Sequence, residues 1–408
     1  MTTHSLTRIA SLLLAFGFFF GCSVISPKST TDDGEGLTSK DIENRLDRIQ
    51  RDLQSNPGEP DLLIEQLQLL RELAQRKSAP DERTPIYREL RSSADELKSI
   101  ETETETDDTL NRVLNISWSS EHNRGVELMQ RDSSGNEARY TEAAAHFENA
   151  ITILPDSLVS YEMKARSHYY DDDAPQAIQT LNRALEHTSS PSSELLEQLA
   201  FLHLENRNSD EAIRIYEEIE SFESDNLNLL HGLANAYISG GQHAEAILLL
   251  EQLVEQQPNN VAYRETLGIE LFHQAAGKMD SLITAYNDND TPSRVLREEP
   301  AELLDRAEHH LREARTLNEG PAADRALANF YHNSAAKYRE LLSVLPENEQ
   351  EQVEDRVNDY LNGAIPLFED LTSVEPSNTV IWQNLYQAYS YLGMDEEAQE
   401  ARTQLNQQ

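Results

Sequence analysis

From Asp41 onward the apolar positions of this 408-residue chain recur at helical spacing. Ile42, Leu46, Ile49 and Leu53 fall at i, i+4, i+7 and i+11, one stripe along a helix. "PDLLIEQLQLLRELAQRK" follows, opening at Pro60, whose fixed φ suits a first helical turn. "TPIYRELRSSADELKSI" reads as a third helix, and the run "ETETETDD" (Glu101–Asp108) as a low-complexity acidic hinge. No stretch reads convincingly as a strand, so the pattern predicts an all-α protein.

Beyond the hinge the pattern repeats. Ala143, Phe147, Ala150 and Pro155 mark one segment, and Ala177, Leu181 and Ala184 stand 34 residues later. Ala212, Tyr216 and Ile219 come next, then Ala246, Leu250, Leu253 and Pro258. The spacing returns at Ala307, Leu311 and Ala314, at Ala364, Phe368, Leu371 and Pro376, and last at Ala398 and Leu405. The preceding helices agree, with Trp382, Leu385 and Tyr389 in one, Leu267 and Gly268 in another, and Leu233, Ala234 and Tyr237 in a third. Small side chains at the crossings let helix pairs approach, and large ones fill the gaps between them.

These residues resemble the tetratricopeptide repeat (TPR) family, whose second helix carries that small–large–small order. The resemblance covers some three quarters of the chain. It implies a TPR-type α-solenoid, a right-handed superhelix of about seven helix pairs over residues 110–408. A helical cap or divergent repeat at 38–100 and the hinge at 101–109 precede it. Two units are interrupted. "DSSGNE" (Asp132–Glu137) separates the helices of the first, and Gly277–Pro300 is expected to project from the fifth as a loop with a short helix. A sixth unit has lengthened helices.

The only cysteine, Cys22, follows an apolar run from Ile9 to Gly21. That run is shorter than the roughly 20 apolar residues of a membrane span and fits the core of a signal peptide. Gly21 before Cys22 resembles a bacterial lipobox, although Phe19 and Phe20 are bulkier than usual there. The resemblance implies a lipoprotein signal at 1–21, lipidation of Cys22 and a flexible tether at 22–37. An ordinary secretory signal with an incidental cysteine, or a short uncleaved anchor, are the alternatives. With Cys22 lipidated no thiol is left for a disulfide, so stability must come from packing.

Charge narrows the partners. Acidic residues number 73 against 34 basic ones, a net charge of −39. Seven of the basic residues are Lys and 27 are Arg. Such an excess repels nucleic acid and anionic headgroups. Acidic surfaces short of Lys resemble those of halophile proteins, whose self-repulsion is screened at molar salt, where the Debye length is about 3 Å. An acidic protein from an ordinary habitat is the alternative.

No catalytic constellation stands out. His168/Asp171 and His310/Glu313 have metal-ligand spacing, but in so acidic a chain such pairs arise by chance. Asp288, Asp290 and Glu299 occupy positions of an EF-hand-like loop that Pro292 and Ser293 spoil. Asp171–Asp173 reads as a solvated turn, and His168 and His203 as satisfied core histidines. The sequence therefore predicts a non-enzyme with no metal site and no cofactor.

In TPR proteins the first helix of each pair lines a concave groove. Two ligand-facing family positions fall on Met129, Tyr169, Leu204, Ile238 and Phe272, and on Val126, Arg166, Phe201, Asn235 and Ile269. This apolar stripe in an acidic chain predicts a docking groove for protein partners, unless the side chains pack on neighbouring helices. The groove lacks the basic set that binds acidic C-terminal tails. Relatives by architecture include barrel-assembly, pilus-assembly and peptidoglycan-enzyme lipoproteins. The expected role is an adaptor tethered to the outer membrane, on the periplasmic side, that gathers envelope proteins. The alternative is a glycan-binding lipoprotein of nutrient uptake, for which the insertion offers only Tyr286 as a stacking ring.

Overall fold

A computed structural model describes residues 37–100, 104–130, 138–220, 226–288, 290 and 292–407. The signal, the lipidation site Cys22, nearly all of the tether and the Asp132–Glu137 insertion lie outside these described residues. Among them every regular element is a helix, and no helix is long and apolar enough to cross a membrane. The chain divides into two compact units between Ile215 and Tyr216.

The N-terminal unit contains α1 (Ser39–Ser55), α2 (Pro60–Gln75), α3 (Pro80–Lys98), α4 (Thr104–Met129), α5 (Tyr140–Ile153), α6 (Leu158–Tyr170), α7 (Ala174–Glu186) and α8 (Ser193–Glu205). The division falls inside α9 (Ser209–Glu220). The C-terminal unit holds α10 (Leu227–Ser239), α11 (His243–Gln256), α12 (Val261–Asn287), α13 (Arg294–Leu317), α14 (Pro321–Leu342), α15 (Glu347–Val374), α16 (Thr379–Leu392) and α17 (Asp395–Gln407). Within each unit consecutive helices pack on one another, except that α3 packs on α5 and α2 on α4 in place of an α3–α4 pair, and the whole is the arrangement of a TPR-type array. The repeat positions are its core. Ala143, Ala150, Ala177, Ala184, Ala212, Ala246, Ala307 and Ala364 are all fully buried, and Leu181, Leu250, Leu311 and Phe368 are at most 3% exposed.

Two expectations are corrected. The described part of the acidic hinge, Thr104–Asp108, is the first turn of α4. Acidic side chains at a helix N-terminus are stabilised by its partial positive charge. Leu110, Val113 and Leu114 then share one apolar core with α1, α2 and α3, so the cap is continuous with the first pair. Likewise Gly277–Pro300 is mostly helical, because α12 runs on to Asn287 and α13 begins at Arg294. Leu271, Ala275, Met279 and Leu282 continue one buried stripe along α12, and Ser293 caps α13 by accepting from the Leu296 amide at 3.2 Å.

The turns within the pairs share one backbone device. The amides of Asp173, Asn208, Gln242 and Met394 each donate to a carbonyl five residues back, at 2.8–2.9 Å. The residue before each of them, Asp172, Arg207, Gly241 or Gly393, has a positive φ of 60–71°. This is the Schellman ending, which favours glycine at that place. Arg207 holds the position at a cost of about 1–2 kcal/mol for a Cβ in left-handed backbone. Arg207→Gly should therefore stabilise the chain by about 0.5–1 kcal/mol after the entropy of the freer unfolded chain is subtracted. Urea unfolding followed by circular dichroism reads this as a higher midpoint.

Candidate functional site: an exposed aromatic patch

The first helices present the expected groove residues unevenly. Val126 and Met129 are half-buried and pack, with Met163, on Leu128, Ala143 and Phe147. The Ser167 hydroxyl donates to Met129 Sδ at 3.3 Å. These two side chains serve packing between helices. Arg166 is exposed, while Leu204 is half-buried.

Tyr169 and Phe201 behave differently. Their rings meet edge to face at 5.5 Å, and Phe201 remains 42% exposed. Tyr170, which is 51% exposed, lies 5.8 Å from Tyr169 and 5.4 Å from Tyr140. Four rings from the start of α5, the end of α6 and the end of α8 thus form one continuous patch. Tyr140 escapes the repeat pattern, whereas Tyr170, next after Tyr169, falls at a further ligand-facing family position.

In the C-terminal unit the corresponding residues are more enclosed. Asn235 Nδ2 is 3.1 Å from His231 Nε2, and Ile238 and Ile269 are half-buried. The ring of Phe272 meets that of the buried Phe330 at 6.1 Å, so a side chain of α14 stands beside it. Tyr286 on the extended α12 donates its hydroxyl to Glu349 at 2.9 Å.

The most polar feature of the interior lies outside the repeat pattern. Glu121 on α4 is completely buried, at 0% exposure. One carboxylate oxygen accepts from Arg83 Nη1 at 2.8 Å and from the Tyr87 hydroxyl at 2.9 Å. The other accepts from His146 Nδ1 at 2.6 Å and from Asn149 Nδ2 at 3.3 Å. Burial alone would raise the carboxyl pKa, but the hydrogen bonds from His146 and Arg83 outweigh it and hold it below the ordinary value. A carboxylate so enclosed ties α3, α4 and α5 together and offers no face to a substrate. The signal was present, because Glu121 continues the stripe Leu110, Leu114, Ser117 toward Gly125 and Leu128.

The other titratable candidates are dispersed. His168 is half-buried and its Nε2 has no hydrogen-bond partner, which corrects the expectation of a satisfied histidine. Burial lowers its pKa and that of His203. His310, enclosed and next to His309, is pushed down to about 4. Glu299 pairs with Lys278 at 3.0 Å. Among the described residues no group of three or more His, Cys, Asp or Glu is arranged to hold a metal ion. An open depression of about 560 Å³ lies between the starts of α3 and α5, lined by Pro80, Asp81, Thr141 and Glu142 among others.

A tetratricopeptide repeat model matches residues 203–268. Solved structures of low identity align with about half of the chain or somewhat more. A MamA fragment from Desulfovibrio magneticus RS-1 is 12% identical, covering 50% of this chain and 97% of that one with a TM-score of 0.38. YrrB, described as a TPR protein with an unusual peptide-binding site, is 14% identical, covering 51% and 88% with a TM-score of 0.37. PilW, a type IV pilus biogenesis factor, is 15% identical, covering 63% and 97% with a TM-score of 0.35. No curated protein matches the sequence.

Proposed function

We propose that this array of TPR-type helix pairs is a membrane-tethered adaptor that gathers protein partners in the cell envelope. The patch of Tyr140, Tyr169, Tyr170 and Phe201 carries the reading. Surface aromatic side chains that are already packed ring to ring lose little conformational freedom on binding, and such rings are enriched at the centres of protein interfaces. The tether rests on the apolar run Ile9–Gly21 and Cys22. Lipidation there would leave the helical array outside the bilayer, on the periplasmic face of the outer membrane.

A photo-crosslinking residue in place of Phe201, in living cells at native salt, tests the adaptor role. Discrete protein adducts are expected, with none from an exposed control position such as Leu248, 67% exposed on α11. Equal silence at both positions overturns the docking role. Cys22→Ser should move the protein from the membrane to the soluble fraction, and unchanged membrane association removes the lipid tether from the proposal. The patch has the stacking surfaces that a sugar ring would also use, so adducts with glycan alone would favour the nutrient-uptake alternative.

A further inference from the structure

We propose that the partner segment seated on this patch is cationic, an arginine- or lysine-bearing stretch of protein whose side chains lie over the rings of Tyr169, Tyr170 and Phe201. The inference rests on the adaptor reading and names the chemistry of its partner.

Three observations carry it. Elsewhere in the chain arginines already occupy tyrosine rings. Arg183 lies 5.6 Å from the ring of Tyr161, Arg312 5.8 Å from Tyr331, Arg339 4.8 Å from Tyr391 and Arg356 5.8 Å from Tyr338. Among the described residues no cation lies over the four rings of the patch. Their faces are thus unused for an interaction this chain makes repeatedly with its own arginines.

The charges at the patch are mainly acidic. Glu205 and Asp172 are near enough to Tyr169 to help burial raise its hydroxyl pKa. Asp171, exposed at the foot of Tyr170, accepts from the Thr141 hydroxyl at 3.0 Å and keeps an acceptor oxygen free of that bond. The cations nearest in the sequence are largely engaged: Lys164 with Glu148 at 2.6 Å, and Arg139 with Glu142. Arg166 is one turn from Glu162, whose pKa it lowers against a net upward shift from burial.

The third observation is the field of the whole molecule. At a net charge of −39 an approaching cationic segment is steered inward and an acidic one repelled. Rings give such a segment a place to settle that diffuse charge does not, because the attraction to a ring face is short-ranged and outlasts screening by salt.

The probe is a fluorescein-labelled nonapeptide of alternating Arg and Ser, with a Gln-for-Arg isostere, titrated into the full chain by fluorescence anisotropy at low and at molar salt. The Arg peptide should bind roughly tenfold or more tightly than the Gln peptide. Tyr170→Leu and Phe201→Leu keep an apolar side chain and the charge but remove the ring face, and each should weaken the Arg peptide roughly tenfold at molar salt. Asp172→Asn with Glu205→Gln should weaken it at low salt and flatten its salt dependence. Circular dichroism of each variant checks that the helices persist.

Arg-peptide binding indifferent to both ring substitutions overturns the proposal, since the peptide is then held by diffuse charge. Equal binding of the Gln peptide overturns it too. In cells, adducts at Phe201 with a segment devoid of Arg and Lys would leave the adaptor reading standing and sink the cationic one. Absence of any adduct sinks the adaptor reading instead.

Discussion

Glu121→Ala should destabilise the N-terminal unit by about 3–5 kcal/mol, a large fraction of the stability of an ordinary domain. The loss does not come from the carboxylate's own attractions alone. Removing it strands the donors of Arg83, Tyr87, His146 and Asn149 in a site with no exposure of Glu121 itself. Each buried donor left without an acceptor costs about 1–3 kcal/mol. Glu121→Gln preserves shape yet should also be costly. Its amide offers one accepting oxygen to four donors and turns an NH2 group toward the others. Urea unfolding of the full chain, followed by the loss of helicity, measures both.

The same site gives the pH dependence a sign. The folded carboxyl of Glu121 titrates below its ordinary value of 4.5. It therefore contributes stability fully present above pH 4.5, which drains away as pH falls through the lower folded value. Glu121→Gln should flatten that acid limb, so the difference between wild type and variant narrows below pH 4.5. A gap that stays constant to pH 3 would show that the folded carboxyl of Glu121 is not held below its ordinary value.

How far the sequence was legible depended on which physical rule each position obeyed. The alanines of the repeat are readable because a small residue at a helix crossing is dictated by distance, and Ala143, Ala246 and Ala364 are all fully buried. The interruption at Gly277 misleads because the repeat spacing breaks there and resumes only at Ala307. The buried stripe through Met279 and Leu282 carries α12 onward. The run at Glu105 and Asp107 was read for its like charges, whereas its place at a helix start makes those charges favourable. The stripe through Leu110, Leu114 and Ser117 places Glu121 on the buried face, but its partners lie 25 to 38 residues away on other helices and no local pattern reveals them. At the patch, Tyr169 and Phe201 were reachable through the repeat pattern. Tyr170 follows Tyr169 on the same helix, and Tyr140 joins them only because the turn brings the start of α5 to the end of α6.

Gly268→Ala and Gly277→Ala, the same change on one helix, should move stability in opposite directions. Both glycines sit inside α12, where alanine is favoured over glycine by about 1 kcal/mol. A Cβ at Gly277 would meet nothing within 4 Å, so the preference should appear almost intact as a gain. A Cβ at Gly268 would stand 2.6 Å from Leu311 Cγ and 3.1 Å from the Ala307 carbonyl oxygen. Leu311 is 2% exposed and cannot swing away, and the carbonyl belongs to the backbone of α13. The two helices must part, and overpacking of this kind costs about 1–3 kcal/mol, more for Gly268→Leu. Leu311→Ala makes the test specific. Alone it should cost about 2–5 kcal/mol by opening a cavity. Combined with Gly268→Leu it should cost clearly less than the sum, because the new side chain occupies the space the old one leaves. Strict additivity would mean that Gly268 and Leu311 do not set the approach of α12 and α13.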